Sequence, residues 1–119
     1  MTIQSFKELT VWHRGIQLVV ATYDAMKLLP AWERYDLASQ MRTAAVSVPS
    51  NIAEGHERGS TRDYSHYLSM SRGSLAELET HFTVCEVVGH LKTAQLKKAR
   101  AYAEEVSRMI WAIQRSLRK

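Results

Sequence analysis

Apolar residues recur at alternating steps of three and four along most of the chain, the spacing that lines one face of an α-helix. In the first segment Leu9, Trp12, Ile16, Val19, Tyr23 and Met26 form such a stripe, and Leu29-Pro30 closes it. In the third segment Tyr64, Leu68, Ser71, Leu75, Leu78, Phe82 and Cys85 keep the rhythm, and Gly89 stands where a left-handed C-terminal cap belongs. The last segment carries Leu96, Ala99, Ala103, Val106, Ile110, Ile113 and Leu117, with Thr93 placed to cap its start. No alternating β-branched run bounded by turn residues interrupts these stripes.

The second segment breaks the rule in an informative way. Leu37, Met41, Ala44 and Val48 step four, three, four, and then Ile52 and Gly55 follow one place late. The extra step falls on Pro49, which lacks a backbone donor and crowds the carbonyl of Ala45. A proline inside a helix costs ~3 kcal/mol. Burying each of Val46, Val48 and Ile52 returns roughly 1.5–3 kcal/mol, so a kinked but continuous helix to about His56 is expected. Ser47, Ser50 or Asn51, or a water, could satisfy the freed Ala45 carbonyl. A turn at Glu57–Ser60 follows, with Ser60 capping the third helix and Asp63 in its first turn. The alternative, a loop from Ser47 to Ser60, would be long for a compact helical protein.

Four amphipathic helices with short connections predict an all-α fold, an antiparallel up-down-up-down four-helix bundle with a proline-kinked second helix, forming a single domain over residues 1–119. Folding the second helix back on the third sets Ala44 near Gly73 and Ser47 near Met70. Many residues on the two facing surfaces are small, which predicts a close approach there. Around Pro49, the polar residues Gln40, Asn51, Glu54, Arg72 and Glu77 are expected to form a buried network that fixes the register, or else to lie in solvent.

The stretches "LASQMRTAAVSVPSNIAEGHERGS" and "YLSMSRGSLAELETHF", with Phe6, Leu9 and Trp12 opening the chain, resemble the S23 or 23S rRNA intervening-sequence proteins. The resemblance covers nearly the whole sequence. It implies an antiparallel four-helix bundle that assembles into a ring, commonly a homopentamer. It also implies an association with ribosomal RNA genes and, in a related branch, with retroelement accessory proteins that work through nucleic acid and a reverse transcriptase. Members often carry more basic residues after the Glu-Gly pair, whereas here Arg58 and Arg62 are balanced by Glu57 and Asp63.

Composition narrows the setting. At 119 residues the chain can bury a real core without staples. One cysteine, Cys85, leaves no intramolecular disulfide, which suits a reducing cytoplasm. The first residues lack a secretory apolar region, and no later run approaches the ~20 apolar residues of a membrane span. A cytoplasmic protein without membrane contact is therefore expected.

Two surfaces are candidates for contact with other molecules. Val11, Leu18, Ala21, Ala25 and Leu28 form a second apolar stripe on the first helix, which predicts an interface with further copies of the chain, and Trp111 is a candidate anchor for it. Trp111 could equally close the flank of its own bundle. Charge marks the other surface. Residues 91–119 hold eight of the sixteen basic residues against two acidic ones, a local +6 in a chain of net charge +4. Lys92, Lys97, Lys98, Arg100, Arg108, Arg115, Arg118 and Lys119 avoid the apolar stripe and form a candidate nucleic-acid-binding face. Cations near a helix C-terminus are also simply favourable there.

No catalytic constellation is apparent. Di-metal bundles use Glu-x-x-His pairs, whereas Glu77 precedes His81 by four places. Glu77, His81 and Cys85 share one side of a helix, but Cys85 on the apolar stripe is explained by packing. No phosphate-cradling glycine loop or nucleophile elbow is present. The expectation is a non-enzymatic homo-oligomer with no cofactor and no metal. Its partners would be itself and RNA or a nucleic-acid-processing protein; the alternative is a protein scaffold or adaptor that binds no nucleic acid.

Overall fold

The computed structural model describes residues 5–118. Four helices make up most of it: α1 (Thr10–Met26), α2 (Leu37–Glu57), α3 (Thr61–Val87) and α4 (Thr93–Leu117). Single 3-10 turns at Phe6–Glu8 and Ala31–Glu33 precede α1 and α2. Each helix contacts two others: α1 lies against α2 and α4, and α3 against α2 and α4, so all four surround one core. Among the described residues there is no strand.

The helix ends follow local chemistry. Ser60 accepts a hydrogen bond from the Asp63 N–H at 3.1 Å, the N-cap expected of it. Gly59 (φ +79°) and Gly89 (φ +82°) turn the chain out of α2 and α3 in the left-handed region that residues with a β-carbon avoid. At Gly89 the amide of His90 reaches back to the Cys85 carbonyl at 2.9 Å and that of Gly89 to Glu86 at 3.1 Å, which occupies carbonyls that the last turn leaves open. Thr93 is the first residue of α4 rather than its cap. The Gln95 side chain accepts from the Lys92 N–H at 2.8 Å, while the Thr93 hydroxyl donates to Glu86 at 2.6 Å.

The helix α2 is continuous through Pro49, so residues 47–57 are not a loop. Ser47, Ser50 and Asn51 do not serve the Ala45 carbonyl. Their side chains donate instead to the carbonyls of Ala44, Val46 and Ser47 at 2.8–2.9 Å. From α3 the buried Ser71 hydroxyl donates to the Val48 carbonyl at 2.8 Å. Ser47 bonds Ser74 at 2.6 Å, one turn away from the expected neighbour Met70. The small residues act unevenly: at Gly55 the chains are so close that a β-carbon would lie 2.6 Å from that of Tyr67, whereas at Gly73 it would meet nothing.

The core is built from the predicted stripes of α2, α3 and α4, with Met41, Val48, Ile52, Leu68, Leu78, Phe82, Leu96, Val106 and Ile110 fully enclosed. In α1 the expectation is reversed. Val11, Leu18, Ala21 and Ala25, read as an outer interface, are buried in the chain's own core, and of that stripe Leu28 alone is exposed. Ile16 and Tyr23, read as core, are 39% exposed, and Trp12, Val19 and Met26 pack at the margin. The cause is Gly15. A β-carbon there would sit 3.2 Å from that of Pro49, so α1 meets α2 through its narrow side and turns the bulkier stripe outward. Thr22, also fully buried on that side, satisfies its hydroxyl on the Leu18 carbonyl at 2.8 Å.

Candidate nucleic-acid interface

The helix α4 presents its apolar stripe to the core and its cations to the outside, as alternation at 3.6 residues per turn requires. Lys92, Lys97, Lys98, Arg108, Arg115 and Arg118 are all exposed, and none forms an ion pair among the described residues. Lys119 lies outside the described residues. Arg100 is different, and its place in the predicted binding face is corrected: its guanidinium is held by Glu79 at 3.0 Å and Glu86 at 2.6 Å, tying α4 to α3. The Arg100 hydrogen bond, seconded by Thr93, lowers the Glu86 carboxyl to about 2, and the same pairing raises Arg100. One acidic residue of α4 is also engaged, since Glu105 pairs with Arg14 of α1.

Trp111 sits on the α3 side of α4 and is 39% exposed. The Arg72 guanidinium of α3 lies 3.5 Å from its ring centre, a close cation–π contact. Arg72 also approaches the Gln114 carbonyl oxygen at 3.4 Å. Gln114 is only 4% exposed and donates to the Ser65 carbonyl at 3.0 Å and Ser69 hydroxyl at 2.9 Å. Beside this stack runs a groove of about 600 Å³ between α3 and α4, reaching from Trp111 to Arg100 and Glu79.

The single network expected around Pro49 is not formed. Asn51 bonds within its own helix, Glu54 pairs on the surface with Arg58 at 3.0 Å, and Gln40 and Glu77 are exposed. Arg72 belongs to the Trp111 stack. The buried polar contacts are made by other residues: Ser71, Ser74 and Gln114, and a pair at the opposite end of the molecule. There Glu33 and His90 meet at 2.9 Å, joining the α1–α2 and α3–α4 connections, and Trp32 packs edge-on against His90. Gln114 is not legible in the sequence because a lone polar residue gives no periodic signal, and no telling spacing pairs His90 with an acid, because Glu33 reaches it from a connection 57 residues away. Among the described residues no cluster of three or more His, Cys, Asp or Glu side chains could hold a metal ion. No described helix is long and apolar enough to cross a membrane.

Four helices around one core, with a cationic outer face on the last, define a small all-helical protein. The chain belongs to the 23S rRNA-intervening sequence protein family, whose model matches residues 7–112. No individual curated protein shows a significant match to the sequence.

Proposed function

We propose that this is a non-enzymatic, homo-oligomeric four-helix bundle that binds the phosphate backbone of RNA through the outer face of α4. The observation that carries the reading is that six cations of α4 and its two ends, Lys92, Lys97, Lys98, Arg108, Arg115 and Arg118, are exposed and form no ion pair among the described residues. Cations already paired with carboxylates gain little from a phosphate, whereas free ones release condensed counterions from it. The family's tie to ribosomal RNA supports the choice of RNA.

In this reading the helices alternate in direction and α2 bends at Pro49. Paired contacts support the alternation: Gly55 faces Tyr64 and Tyr67, while Ser47, earlier in α2, bonds Ser74, later in α3. Self-association uses the stripe of α1 that the core leaves outside, Ile16, Val20 and Tyr23, and a ring of five is the expected form. The cytoplasm is the expected compartment.

The test is binding of labelled RNA across a salt titration. Wild-type protein should lose affinity steeply as salt rises, and changing Lys97, Arg108 and Arg115 together to Glu should remove most of the binding and flatten the slope. Unchanged affinity and slope in that variant would overturn the reading and favour a protein scaffold.

A further inference from the structure

The groove between α3 and α4 has a construction that the cationic face alone does not call for. One wall is the Trp111 indole with the Arg72 guanidinium against it. The floor and far wall are formed by small residues, among them Ser69, Gly73, Ala76, Ala103 and Ser107. Above Gly73 the space is open, since a β-carbon there would touch nothing within 4 Å. At the other end stand Glu79, already bound to Arg100, and Glu104, which is exposed and in no ion pair among the described residues.

The stack is held in place. Gln114, which Arg72 approaches, is itself fixed by Ser65 and Ser69, so the guanidinium is anchored beside the ring by a buried amide. A planar, preorganised surface of this kind loses little freedom when a flat ligand settles on it. It also lies within the cationic strip. Arg108 precedes Trp111 by three places and Arg115 follows by four, which puts all three on one face of α4. Lys97 lies on the same face four turns earlier.

Charge decides which part of a ligand goes where. Carboxylates at the far end of the groove repel a phosphate, whereas Arg108 and Arg115 on the rim attract one. Aromatic and guanidinium planes take the faces of nucleobases, and Glu can accept from an exocyclic amino group.

Resting on the reading that α4 binds RNA, we infer that the α3–α4 groove is a stacking site for an unpaired base, held on the Trp111–Arg72 platform while Arg108 and Arg115 contact the flanking phosphates. The chain therefore prefers single-stranded RNA to duplex, because a paired base cannot leave its stack without cost.

The experiment compares a short labelled RNA single strand with the duplex it forms with its complement, by anisotropy with the full chain. Trp111→Leu should weaken single-strand binding about 5- to 100-fold at fixed salt, leave the salt slope intact and leave duplex binding nearly unchanged, while Trp111→Phe retains most of the affinity. Gly73→Leu is the companion variant, because it fills the groove from an open helix position without touching the core. It should cut single-strand binding alike while the thermal midpoint holds or rises. If wild type binds RNA with a salt slope but both variants bind the single strand as well as wild type, or lose duplex equally, the stacking site is wrong and the cationic face stands. If wild type binds neither RNA, both readings fall.

Discussion

Gly15 of α1 packs directly on the ring of Pro49 of α2, so closely that a β-carbon there would lie 3.2 Å from that of the proline. A glycine and a proline, each a poor helix residue, thus meet in the interior and set the spacing of the two helices. Gly15→Val must push the ring away and should cost roughly 1–3 kcal/mol, read as a lower urea midpoint with retained helical circular dichroism.

Two other glycines give opposite expectations. A β-carbon at Gly55 would fall 2.6 Å from that of Tyr67 and 3.3 Å from the Tyr64 carbonyl, so Gly55→Ala must separate α2 from α3 and should destabilise by about 1–3 kcal/mol. Gly73 meets nothing, and Gly73→Ala should stabilise by about 0.5–1 kcal/mol through the lost backbone freedom of the unfolded chain. Denaturant unfolding of the two variants side by side checks both signs.

The clasp between α3 and α4 carries a pH dependence. The Glu86 carboxyl is lowered from an ordinary 4.5 to about 2 by Arg100 and then Thr93, so its folded form binds a proton less readily than its unfolded form. Its contribution is therefore complete above about pH 4.5 and is lost as pH falls through about 2. Thermal melts of wild type and Glu86→Gln should differ at pH 6 and converge towards pH 2.

If self-association uses the outward stripe of α1, charge placed there should dissolve it while sparing the fold. Ile16→Glu with Val20→Glu should give a smaller particle by light scattering, with a melting curve typical of an intact bundle. A wild-type protein that is already monomeric in dilute solution would remove the ring from the proposal.

The helices were legible in the sequence because apolar periodicity survives in α2, α3 and α4 whatever their neighbours do. The orientation of α1 was not, because its true seam runs through Val11, Gly15, Leu18, Thr22 and Ala25, and two of those five are not apolar. Counting hydrophobic residues selects the stripe with Trp12, Ile16 and Tyr23, whereas packing selects the side that can approach Pro49. The cationic face was visible in composition, yet the pairing of Arg100 was not, since Glu79 and Glu86 lie on another helix. For the same reason the Arg72–Trp111 stack emerges only when α3 and α4 are side by side.

The thiol of Cys85 is enclosed in the core, where its Sγ–H donates to the Met41 sulfur at 3.7 Å, and burial followed by the charge of Glu33 raises its pKa. Because the sequence has one cysteine, a thiol reagent added to the unmodified protein has a single target, reachable when the interior opens. The rate of labelling thus serves as a built-in clock for breathing of the bundle, and it can be read with and without RNA on the same preparation.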